Sequence, residues 1–136
     1  MTTQEYLSRA NGISVEIKAL TIAKQNAKDA ATRCSNRISS QPNAHSDVNA
    51  SEKKYVKFCE LSILLDKKIA QLSDVKVQII AAINTAPDPT LRALLIHRYI
   101  NAKTWEQIAE YLDKSDKWVR TKMHENALNA VKIPMQ

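Results

Sequence analysis

Apolar side chains recur along most of this chain at three- and four-residue steps, the spacing that gathers them on one side of an α-helix. Ile13, Ile17, Leu20, Ala27, Ala31 and Cys34 form the first stripe, and Tyr6 and Leu7 begin it one or two turns earlier. The stripe predicts a helix from Thr3 to Ile38. Gly12 is its soft point, where a kink or the end of a short N-terminal piece is expected. Residues 39–50, SSQPNAHSDVNA, break the pattern with Pro42 and several Ser and Asn, and read as a loop. A second helix is expected from Ser51, whose hydroxyl suits an N-cap, with Glu52 near the positive end of the dipole. Within it Phe58, Leu65, Leu72 and Ile79 repeat every seven residues. Leu61 or Ser62, Ile69 and Ile83 take the alternate positions and Lys76 interrupts them, which makes a heptad-like seam. The helix must end at residues 86–89, Ala-Pro-Asp-Pro, because proline cannot continue it.

Two long helices with one apolar stripe each, joined by one loop, predict an antiparallel hairpin over residues 1–86. So thin a hairpin leaves apolar surface to be covered. Both the C-terminal unit and a second copy of the chain are expected against it, the alternative being a monomer whose two stripes face each other.

The remaining residues, 89–133, read as three shorter helices. Asp88 or Thr90 caps the first, which buries Leu91, Leu94, Leu95, Tyr99 and Ile100. Thr104 opens the second as a capping box with Gln107 before the run Trp105, Ile108, Ala109 and Leu112. Asp113 stands where the chain must turn left-handed, a conformation that Asp tolerates better than most residues. Ser115 caps the last helix, with Val119, Met123, Ala127, Leu128 and Val131 inward. The pattern predicts an all-α protein: a coiled-coil-like helical hairpin followed by a helix-turn-helix.

Composition narrows the function. One glycine and four prolines leave little turn chemistry for strands and no glycine-rich phosphate loop. No run of about 18 apolar residues is present and the N-terminus has no apolar signal core, so a cytoplasmic protein without a membrane span is expected. The net charge of +6 suits a polyanionic partner, although the basic residues are spread along the chain. Cys34 and Cys59 fit no metal-ligand spacing, and His45, His97 and His124 fall in separate segments. No nucleophile has an evident base beside it. A non-enzyme without cofactor or metal is expected.

The site residues follow from the last helix. Its first turns present Ser115, Asp116, Lys117, Arg120, Thr121 and His124 away from the expected core. Arg120 suits a guanine edge, Lys117 a base or phosphate, and Thr121 a thymine methyl or phosphate. Trp118 is open between the core edge and the sugar-phosphate chain. Lys122 and Lys103 suit phosphate, and Thr104 completes the candidate DNA-binding set.

The pattern R-x-L-L-x-x-R-Y-I-N-x-K-T-W-E-Q-I-A-x-x-L, from Arg92 to Leu112, resembles region 4 of sigma factors and its phage relatives. The chain is similar to small proteins of bacteriophages of Gram-positive hosts that stand near the ArpU and RinA late-gene regulators. The similarity is specific over Leu91 to Leu128 and loose before Ser51. It implies a phage or prophage transcriptional regulator that binds double-stranded promoter DNA through its last helix and contacts host RNA polymerase. Three departures bear on DNA affinity: Asp113 in place of the usual turn glycine, Lys114 where an apolar residue often packs, and Asp116 where it would repel phosphate. Two other functions remain open. One is a small DNA-packaging, terminase-type subunit, which would form a ring. The other is an adaptor that docks on protein without touching DNA.

Overall fold

The computed structural model describes residues 1–38 and 45–134, leaving aside the side chains of 34–38, 45–49 and 51. Among the described residues there are helices and no strands. They are α1 (Thr3–Leu7), α2 (Arg9–Ile38), α3 (His45–Ile83), α4 (Pro89–Leu95), α5 (Trp105–Leu112), α6 (Asp116–Trp118) and α7 (His124–Ala130). A π-helical turn, Ile96–Ile100, extends α4, and another, Val119–Met123, joins α6 to α7. No described helix is long and apolar enough to cross a membrane.

The chain divides into two compact units, Met1–Ile13 with Leu72–Gln136, and Ser14–Gln71. The boundaries therefore fall inside α2 and α3, not between residues 86 and 89. The C-terminal helices recruit the first residues of the chain and the last turns of α3 because their own apolar faces are too few to close a core.

In the first of these units Leu7, Ile79, Ile83, Leu94, Leu95, Ile108 and Val119 are fully buried. Tyr6, Ala10, Val75, Ala82, Ala86, Ala109, Met123, Ala127 and Val131 complete the same cluster. Burying one Leu, Ile or Val contributes about 1.5–3 kcal/mol, so seven such side chains dominate the stability of this unit. A single helix over residues 3–38 does not form. Thr2 and Glu5 make a capping box (3.2 and 3.1 Å), and the helix breaks at Ser8. Arg9 Nε takes up the freed Tyr6 carbonyl at 3.1 Å, and its guanidinium lies over the Tyr6 ring. The break lets α1 set Tyr6 and Leu7 into the core, where α1 packs on α7.

The start of α3 also differs from expectation. It begins at His45, so Ser51 is interior and not an N-cap, and residues 45–50 are helix and not loop. Residues 39–44 of the expected loop lie outside the described residues, as does the side chain of Cys34. The buried positions of α3 in this unit are Val75, Ile79, Ala82 and Ile83.

In the unit Ser14–Gln71, Leu65 and Ala31 are buried, and Ile17, Leu20, Ala27, Phe58 and Leu61 are half-buried. Ile69 is 48% exposed, and Lys68 takes the inward position expected for it. A sevenfold repeat fixes one row of a seam and leaves the second row free at the third or fourth residue beyond it. Here the third is used. The half-buried Lys68 reaches Glu16 with its ammonium at 2.8 Å. Lys24 Nζ stands 5.7 Å from the Phe58 ring centre.

The turn into α4 is closed by local bonds. Asp88 accepts from Thr90 N at 2.9 Å, Pro89 occupies the first helical position, and Arg92 donates to the Ala86 carbonyl at 2.7 Å. Thr85 Oγ1 accepts from Lys132 N at 2.8 Å and ties down the chain after α7.

Gly12 lies within α2, and a Cβ built there meets nothing within 4 Å. Gly12→Ala should raise unfolding stability by about 0.5–1 kcal/mol, read by chemical denaturation. A loss of stability would show that this turn is not an unstrained helix.

Candidate nucleic-acid interface

The candidate site is built on two helices and the turn between them. Thr104 caps α5 as the sequence predicts: its hydroxyl accepts from Gln107 N at 3.2 Å, and Gln107 Oε1 accepts from Thr104 N at 3.0 Å. Ile108 and Ala109 are buried, and Leu112 is half-buried. Asp113 adopts φ 55°, ψ 46°. Asp113 N bonds the Glu110 carbonyl at 3.3 Å and Lys114 N bonds that of Ala109 at 3.0 Å, a Schellman ending. Ser115 Oγ then accepts from Trp118 N at 3.2 Å and starts residues 116–130.

Val119, Met123, Ala127 and Val131 are buried, and Leu128 is half-buried. This row fixes which side of the last helix remains outside. Ser115, Lys117, Arg120, Thr121 and Lys122 are exposed, and Trp118 is 48% exposed, which places its indole outside the core. Thr121 is less free than its exposure suggests: its hydroxyl donates to the Lys117 carbonyl at 2.5 Å, leaving the methyl as its outward group. Asp116 is half-buried, and its Oδ2 lies 3.7 Å from Arg120 Nη1. Lys103 is half-buried in the connection before α5, and exposed Thr104 is engaged in its capping box.

His124 does not belong to the outward set. It is half-buried, and its Nε2 lies 2.6 Å from the Tyr99 hydroxyl. The Trp105 ring meets it edge-on at 4.7 Å, and Arg98 lies over the other side chain of this cluster, 4.3 Å from the Trp105 centre. Arg98 also donates to the Lys103 carbonyl at 3.2 Å. Sequence spacing along the last helix put His124 with Arg120. The partner that draws it inward, Tyr99, stands 25 residues away. The i, i+4 spacing of Asp116 and Arg120 was the available signal for their pairing. Beside this cluster His97 stacks on the exposed Tyr111 ring at 4.8 Å.

Burial pushes the Tyr99 phenol up, against a smaller opposing effect of the Arg98 charge. Burial, and then Arg98, pull His124 below its ordinary 6.5. The phenol therefore keeps its proton, and the folded unit favours the neutral imidazole. Cys59 is half-buried, and among the described residues no group of three or more His, Cys, Asp or Glu side chains gathers as metal ligands do.

Comparison with known proteins finds no relative: no family model, curated protein or solved structure matches the chain.

Because folding lowers the pKa of His124 below its ordinary 6.5, its contribution to stability is complete above pH 6.5 and is lost as pH falls through the lower folded value. Thermal melts should show this unit weakening below that pH. His124→Phe should be less stable at neutral pH, because Tyr99 loses its partner, yet flatter between neutral and mildly acidic pH. An unchanged slope in that variant would rule out the assignment.

Proposed function

We propose that the protein is a transcriptional regulator of phage or prophage type that binds promoter DNA through a sigma region 4-like helix-turn-helix, residues 104–130. The observation that carries this reading is the outward face of the last helix. Lys117, Arg120 and Lys122 stand exposed on a segment whose opposite side is locked by Val119, Met123 and Ala127. The left-handed Asp113 and the Ser115 cap support the same motif, because they set the turn that presents the start of such a helix to a groove. Arg120 is the residue for a guanine edge, while Lys117 and Lys122 serve phosphates. Host RNA polymerase is the second partner in this reading. Tyr111, 57% exposed, and Trp118 favour one alternative, an adaptor that docks on protein through these rings.

The proposal includes a homodimer made through an antiparallel α2–α3 hairpin. The hairpin is supported by the pairing of residue 16 with 68 and of residue 24 with 58, an opposed register along α2 and α3. The dimer is supported by Val15, Ile22, Tyr55, Val56, Ile63, Leu64 and Ile69, all exposed within Ser14–Gln71.

Selection of duplexes from a random pool should enrich one motif, with binding that weakens steeply with salt. Arg120→Ala should cost about 1–3 kcal/mol and relax one position, whereas Lys122→Ala should weaken all duplexes alike. Enrichment of no motif would end the DNA reading, and capture of RNA polymerase that survives nuclease and high salt would favour the adaptor. Native mass by light scattering should give two copies, and Ile63→Glu should give one. A wild-type monomer, or a ring of many subunits, would contradict the dimer.

A further inference from the structure

Arg120 does not stand alone on the outward face. Asp116, one turn earlier, places its Oδ2 3.7 Å from Arg120 Nη1, with the two side chains 39% and 53% exposed. Asp116 Oδ1 is buried and has no hydrogen-bond partner among the described residues. Asp116 opens the last helix, where a carboxylate suits the positive end of the dipole; its ion pair with Arg120, so long and so open to water, adds little further stability. Building on the DNA reading above, we infer that Asp116 is a positioning residue that makes Arg120 selective for guanine.

Two physical effects produce the selectivity. An arginine without a neighbour on such a face binds any phosphate, which carries no sequence information. A carboxylate beside it repels phosphate oxygens and lowers that indiscriminate affinity. The second effect is directional. Asp116 approaches Nη1, which leaves the Nε–Nη2 edge of the planar guanidinium for the two acceptors of a guanine, O6 and N7. The nearby carboxylate biases the group toward this orientation, and a phosphate must compete with its charge. Asp116, which by charge alone counts against DNA affinity, thus trades affinity for discrimination.

The test compares full-length wild type, Asp116→Asn, Arg120→Ala and the double variant. Each is taken through selection from a random duplex pool and then titrated with the enriched duplex and with a random-sequence duplex across a salt series. Circular dichroism melts establish that each variant is folded. Asp116→Asn should bind the random duplex more tightly and raise the magnitude of its salt slope by roughly one unit. It should lose roughly tenfold or more in discrimination, with the guanine position relaxed. In the Arg120→Ala background the same change should leave discrimination unaltered, a coupling that a general structural role would not produce. Asp116→Glu, which keeps the charge, should restore part of the preference. If wild type enriches a motif and Asp116→Asn enriches the same motif with the same discrimination, the role of Asp116 is overturned and the DNA reading stands. If wild type enriches nothing, both fall.

Discussion

The burial of Val119, Met123 and Ala127 fixes everything that the last helix can do. These side chains enter one cluster with Ile108 and Ala109 of α5, Leu94 and Leu95 of α4, and Ile79 and Ile83 of α3. A close-packed cluster does not let a helix roll about its axis, since a rotation of even a part-turn would expose apolar side chains and bury charged ones. The rotation of the helix is thereby set, and Lys117, Arg120 and Lys122 remain outside. The same constraint explains why the unit draws on both Met1–Ile13 and the end of α3. Leu7, Ile79 and Ile83 supply the apolar volume that three short helices lack.

Around that core, polar contacts refine the orientation of individual groups. Tyr99 and His124 meet at 2.6 Å, Trp105 meets His124 edge-on and Arg98 lies over Trp105, so the segment after α4, the start of α5 and the start of α7 are joined through one aromatic cluster. The carboxylate of Asp116 and the carbonyl of Lys117 then engage Arg120 and Thr121. The outward face is therefore a set of partly committed side chains. The two π-helical turns, Ile96–Ile100 and Val119–Met123, lie within the segments that carry these groups.

What the sequence made legible is local chemistry. The Thr104–Gln107 capping box, the left-handed Asp113, the Ser115 cap and the buried row of the last helix each depend on residues a few positions apart, and each is found where the pattern puts it. What it hid depends on partners distant along the chain or on choices that spacing leaves equal. Tyr99 draws in His124 from 25 residues away. Ile69, expected inward beside the sevenfold repeat, is exposed, and Lys68 is half-buried with its ammonium on Glu16. The first helix breaks at Ser8, unremarkable in composition, and Arg9 bonds the Tyr6 carbonyl there. Gly12, the obvious weak point, lies within the continuous helix α2.

On the proposed reading, the locked inward row leaves a cationic face for DNA, and backbone and side-chain NMR during titration with a duplex recovered by selection puts that to the test. The account predicts shifts concentrated at Lys117, Arg120, Thr121 and Lys122, with the buried Val119 and Ala127 methyl groups little changed. Shifts confined to Ser14–Gln71, or a last helix that does not respond, would contradict it.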